Sequence, residues 1–162
     1  MLNKKVAELL NDQINKEFYS SYLYLDFANY FAIKGLNGFA SWYNIQAQEE
    51  VGHAMKIREY LLANGNSVKL EAIDKPDKKL SSDLAVLEAG LNHEEFISSS
   101  INDIYAAAHE AKEFKTMEFL NYFIKEQVEE EKNAHTLIDE FKLFASTPEG
   151  LFLLNKQLSE RK

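Results

Sequence analysis

Glu50 and His53 stand three residues apart in Gln46-Ala47-Gln48-Glu49-Glu50-Val51-Gly52-His53. On a helix, that spacing projects both side chains from one face. A carboxylate and an imidazole so placed can bind a metal ion, and Glu-x-x-His recurs in the cores of four-helix bundles that hold metal pairs. The pair acquires weight only if other carboxylates reach the same place. That depends on the elements that carry them.

Those elements are helical. Residues from about 5 to 33 repeat apolar positions every three or four residues: Ala7, Leu10, Ile14, Tyr24, Ala28, Phe31. Glu17 interrupts that series. Gly35 and Gly38 bracket a short turn, so the next helix, about 38 to 64, returns antiparallel. Its apolar seam runs Phe39, Tyr43, Gln46, Glu50, His53, Ile57, Tyr60, and Asn64-Gly65-Asn66 is its stop. Gly52 costs roughly 1 kcal/mol of helix propensity and suggests a close approach by another backbone.

The pattern lapses from about 66 to 81, a polar stretch carrying Pro76. Extended, it spans roughly 50 Å, longer than the roughly 40 Å of the preceding helix. It can therefore run the length of a bundle and start a third helix parallel to the second. Ser81-Ser82-Asp83 offers an N-cap for that helix, which continues to about 109 with the seam Leu84, Leu87, Leu91, Glu94, Ile97, Ile101, Tyr105, Ala108. A fourth, about 114 to 144, carries Leu120, Phe123, Gln127, Glu130, Ala134, Leu137, Phe141, Phe144. Thr147 as N-cap and Pro148 at the first helical position start a short fifth helix, with Leu151, Phe152, Leu154 and Leu158 as its apolar members. The expectation is all-α: one domain over 1–162, a four-helix bundle with a long second-to-third crossover and a short C-terminal helix.

Each long helix interrupts its apolar seam with one carboxylate. Counted from the turns, Glu17, Glu50, Glu94 and Glu130 fall at about one level, with His53 and Gln127 beside them. Burying a carboxylate costs several kcal/mol, and like charges add to that. No Lys or Arg lies on a seam to neutralise them. Either some carboxyls are protonated or cations fill the site. Carboxylates with one imidazole and no sulfur suit iron or manganese, and a single His disfavours structural zinc.

Composition narrows the rest. The chain has 162 residues and no Cys, which excludes disulfides and thiol nucleophiles. Its net charge of -8 argues against nucleic acid as a partner. No apolar run is long enough to span a membrane, and Met1-Leu2-Asn3-Lys4-Lys5 lacks a secretory pattern, so the expected compartment is the cytoplasm.

With those residues in place, the chain resembles the non-haem bacterial ferritins. The resemblance rests on Glu17 followed by Tyr24, Glu49-Glu50-x-x-His53, His93-Glu94, Glu126-Gln127-x-Glu129-Glu130 and the terminal Thr147-Pro148-Glu149-Gly150-Leu151. It implies a ferroxidase centre with Glu17, Glu50 and His53 on a first iron. Glu50 would bridge to a second iron held by Glu94 and Glu130, with Gln127 beside it. It further implies a third iron at Glu49, Glu126, Glu129 and Glu130, and Tyr24 as an electron donor. The substrates would be Fe(II) and O2 or H2O2, and the product a ferric mineral inside a homo-oligomeric cage of twenty-four subunits.

Departures from neighbouring families matter. Gln127-x-x-Glu130 replaces a second Glu-x-x-His, so the centre is asymmetric. Val51 stands where a haem-ligating Met would follow the bridging Glu, so no haem is expected. Met117 and Leu120 stand where animal ferritins line a threefold pore with acids. Alternative readings are solvated helix faces for Glu49, Glu126 and Glu129, and packing or surface roles for His93, His109 and His135. The competing function is a soluble di-iron oxidoreductase or peroxidase, a smaller oligomer without mineral. A DNA-protecting mini-ferritin fits neither the charge nor the intra-subunit ligands.

Overall fold

The computed structural model describes residues 1–162 and consists of five helices: α1 Lys4–Ile33, α2 Asn37–Ala63, α3 Asp83–Glu110, α4 Phe114–Phe144 and α5 Pro148–Leu158. Their starts have local causes. The Asn3 side chain accepts from the Lys5 and Val6 amides, Ser82 accepts from the Ala85 amide, and Thr147 accepts from the Gly150 amide. Each satisfies a donor that the first helical turn leaves unpaired. Gly35 and Gly65, with φ of 77° and 72°, end α1 and α2 in the left-handed region that glycine enters without strain.

α2 is capped from a distance. Leu36 offers no side-chain cap. Asn155 of α5 instead accepts from the Gly38 amide at 2.8 Å and the Phe39 amide at 3.3 Å. The approach is so close that a Cβ on Gly38 would lie 1.7 Å from the Asn155 carbonyl oxygen. Gly52, by contrast, has nothing near its missing side chain. The expectation that another backbone approaches there is not met within the chain.

The crossover runs along α1. Asn11 bonds Ser67 and Lys69, Asn15 bonds Glu71 and Ala72, Tyr19 bonds Asp77, and Tyr30 bonds Asp83. The loop therefore rises in the direction of α1, and α3 starts at the end where α2 starts. α2 and α3 are parallel, as the loop length predicts.

Two apolar clusters fill the bundle. One holds 15 buried residues, among them Leu23, Tyr24, Phe27, Phe31, Phe39, Leu137, Leu154 and Leu158. The other holds 14, among them Leu10, Ile14, Ile57, Leu61, Ile101, Leu120 and Phe123. Each fully buried Leu or Phe contributes about 1.5–3 kcal/mol, enough in sum to tolerate a costly layer between them. Gln13, Glu17, Ser20, Gln46, Glu50, His53, His93, Glu94, Gln127 and Glu130 are all buried and supply that layer. Two positions differ from the periodic reading. Phe144 is 55% exposed, because the seam of α4 stops at Phe141 where α5 turns back, and Phe152 of α5 is 65% exposed. Leu120 is wholly buried in the core, as its seam position predicts, so it does not face a channel.

Candidate metal centre

Each of the four long helices sends one carboxylate into the layer, as the seams predict. Glu17, Glu50, Glu94 and Glu130 are only 1%, 2%, 2% and 6% exposed. They are not equivalent.

Glu17, Glu50 and His53 form a compact group whose ligand atoms all lie within 4.8 Å of one another. His53 Nδ1 is 3.1 Å from Glu50 Oε2 and 4.0 Å from Glu17 Oε2. Gln13 Nε2 donates to Glu17 Oε1 at 2.8 Å. The other oxygen, Glu17 Oε2, is the one buried side-chain polar atom of the protein without a hydrogen-bond partner. A buried acceptor left unmatched costs about 1–3 kcal/mol. A cation between Glu17, Glu50 and His53 would satisfy it, so the residues present fit a metal ion.

Glu94 and Glu130 are supplied with donors. The Tyr24 hydroxyl donates to Glu94 Oε1, and Gln127 Nε2 donates to Glu94 Oε2 at 3.1 Å. Gln46 Nε2 donates to Glu130 Oε2 at 2.8 Å. Gln46, a seam residue without an assigned role in the sequence, thus holds one of the candidate ligands.

The electrostatics follow from burial. Desolvation, then the Glu50 charge, hold the Glu17 carboxyl well above its ordinary range. Desolvation, then Glu94, do the same to Glu50. Glu130 is pushed up to about 7 by burial and by Glu94. Burial raises Glu94 too, against the opposing hydrogen bonds of Tyr24 and Gln127. Burial and Glu94 hold the Tyr24 phenol well above 10, so it stays protonated. Both answers posed by the seams are compatible: carboxyls that hold protons without metal release them to a cation.

The residues proposed for a third ion lie at the edge. Glu126 Oε2 is 3.9 Å from His53 Nε2, on the side of the ring away from Glu50. Glu129 is exposed. Glu49 is ion-paired with Arg161 at 2.9 Å, so it is not a free solvated charge. Arg161 follows the last helix and has no periodic signal to announce it. His93 is a packing residue: buried, 2.7 Å from Ser20 Oγ, edge-on to Tyr24, and pushed down to about 4 by desolvation. His109 and His135 are exposed.

A bundle with a parallel crossover and a carboxylate-histidine layer at mid-height has the architecture of the ferritin-like folds. Residues 7–144 match the family described as "Ferritin-like domain", and the chain belongs to that family. It is 36% identical to a probable bacterial non-heme ferritin-like protein of Haemophilus influenzae, over 98% of this chain and 96% of the relative. It is 35% identical to the bacterial non-heme ferritin of Bacteroides fragilis (strain 638R), over 99% and 100%. The structure superposes on an open pore ferritin from the hyperthermophilic archaeon Archaeoglobus fulgidus with a TM-score of 0.97, at 39% identity and full coverage of both chains. The resemblance to non-haem bacterial ferritins and the bundle with a short fifth helix therefore both hold.

Proposed function

We propose that the protein is a cytoplasmic iron-storage ferroxidase. It oxidises Fe(II) with O2 or H2O2 and retains ferric mineral inside a cage of twenty-four copies. The observation that carries this is the bare, buried Glu17–Glu50–His53 group with its orphaned oxygen. Membership of the ferritin-like family supports the iron and the storage.

Glu17, Glu50 and His53 would take the first Fe(II). Glu50, whose carboxyl is raised by burial and by the nearby Glu94 and Glu130 charges, would be shared with a second ion at Glu94 and Glu130, beside Gln127. Each Fe(II) gives up one electron to the oxidant. Protons displaced from the raised carboxyls leave as the cations arrive. Tyr24, whose hydroxyl donates to Glu94, would supply a further electron. Glu49, Glu126, Glu129 and Glu130 would hold a third ion. No helix is long and apolar enough to cross a membrane.

Anaerobic Fe(II) added to the apoprotein and then exposed to air should give a transient absorbance. A particle of cage mass that retains far more iron than the ligand sites of its subunits could hold should follow. A small oligomer that oxidises iron but retains none would favour the oxidoreductase reading instead.

A further inference from the structure

Arg161 lies three residues beyond the end of α5 and folds back onto α2. Its guanidinium carbon stands 4.2 Å from the centre of the Trp42 ring. Its nitrogens donate to the Trp42 carbonyl at 3.4 Å, to Gln46 Oε1 at 2.6 Å and to Glu49 Oε2 at 2.9 Å. Residues 42, 46 and 49 lie one turn apart on one face of α2. The side chain keeps only 17% of its surface exposed.

Two consequences follow from donor direction. Gln46 receives Arg161 on its oxygen, so its amide nitrogen points at Glu130. Arg161 thereby reaches Glu49 directly and Glu130 through one side chain. An exposed ion pair is worth little by itself. This one is stacked on an indole, forked over two acceptors and mostly screened from water, which strengthens it.

We infer that Arg161 is a tethered cation that competes with metal at the edge of the centre. Docked, it neutralises Glu49 and occupies that carboxylate's oxygen. A third metal ion that takes the same oxygen, Glu49 Oε2, must displace it, because one oxygen cannot hold the guanidinium and a metal ion together without strong repulsion between the two cations. The C-terminal residues then control how tightly the third ion is held. The inference rests on the proposed use of Glu49 and Glu130 as ligands.

The test uses the intact apoprotein and Zn(II), which is redox-inert. Calorimetric titration of the native protein should show tight equivalents followed by a weaker one. Arg161→Gln should tighten the weaker equivalent about fivefold, the size of a modest ion pair, and Arg161→Lys should fall between. Trp42 is the single tryptophan, so its emission reads the docked arginine. Emission should differ between native and Arg161→Gln apoproteins. It should change as the weaker equivalent binds to the native protein, and should not do so in Arg161→Gln. Equal weak affinities in the two proteins, or identical Trp42 emission, would overturn the inference. Glu50→Ala separates this from the di-metal reading: it should delete the tight equivalents and keep the Arg161 effect on the weak one. Tight binding that survives Glu50→Ala counts against the di-metal centre alone.

Discussion

The two halves of the buried layer face the same physical problem and meet it differently. Glu94 and Glu130 are surrounded by donors: Tyr24, Gln127 and Gln46. Glu17 and Glu50 have His53 and Gln13, and one oxygen has nothing. A carboxylate with good donors can keep its charge in an apolar bundle. One without them must take a proton or a cation. The donors of the Glu94–Glu130 half thus oppose the rise that burial imposes on its carboxyls, whereas the Glu17–Glu50 half is organised to receive a cation.

The largest test of that contrast is catalytic. Glu17→Ala, Glu50→Ala or His53→Ala should abolish the fast phase of Fe(II) oxidation in stopped-flow absorbance. Gln46→Leu removes only a donor to a ligand. It should cost about 10–100-fold, the usual effect of losing a ligand's hydrogen-bond partner. Equal losses in the two groups would erase the distinction.

Stability without metal should run the other way. Glu17→Gln replaces a carboxyl that is buried only by taking up a proton, and should stabilise the apoprotein at neutral pH by about 1–3 kcal/mol. Urea unfolding in the presence of a chelator measures this. The same change at Glu94 should gain less, because Tyr24 and Gln127 lose a charged acceptor.

The pH dependence of the apoprotein carries the same sign. Carboxyls raised in the folded state bind more protons folded than unfolded. Their contribution is complete below the ordinary carboxyl range and is lost as pH rises through the folded value. For Glu130 that value is about 7, and Glu17 and Glu50 shift in the same direction. His93, lowered to about 4, acts oppositely: its stabilisation is complete above the ordinary imidazole range near 6.5 and is lost as pH falls toward 4. One imidazole offsets only one of those carboxyls, so thermal melts should fall from about pH 4.5 upward, more steeply above about 6.5 where His93 no longer compensates, and saturating divalent cation should flatten the fall. A flat profile without metal would show that the layer holds no excess protons.

The smallest expected effect lies outside the layer. Asn155→Ala should cost about 1 kcal/mol by uncapping α2, and should leave the oxidation rate unchanged. Thermal melts and initial rates on the same sample check both halves of that statement.

Much of this is legible in the residues alone. The 3.6-residue period marks every helix to within a few residues, because side-chain burial in a bundle repeats with the backbone. A carboxylate at Glu17, Glu50, Glu94 or Glu130 is conspicuous because its neighbours on the seam are apolar. Loop length alone predicts the parallel crossover. Gln46 is visible as a seam position, but its role is not, since a glutamine's orientation depends on its partners. Asn155, which caps a helix 117 positions earlier in the chain, has no local pattern at all.

Periodicity and chain length are local properties. They suffice to dictate the helices, their order and the level at which four carboxylates must meet. Which carboxylate is satisfied by Tyr24, Gln127 or Gln46, and which is left bare, is settled by the packing of the helices against one another. Packing alone also brings Arg161 to Glu49. Those outcomes depend on distances between atoms far apart in the chain, and no residue spacing encodes them.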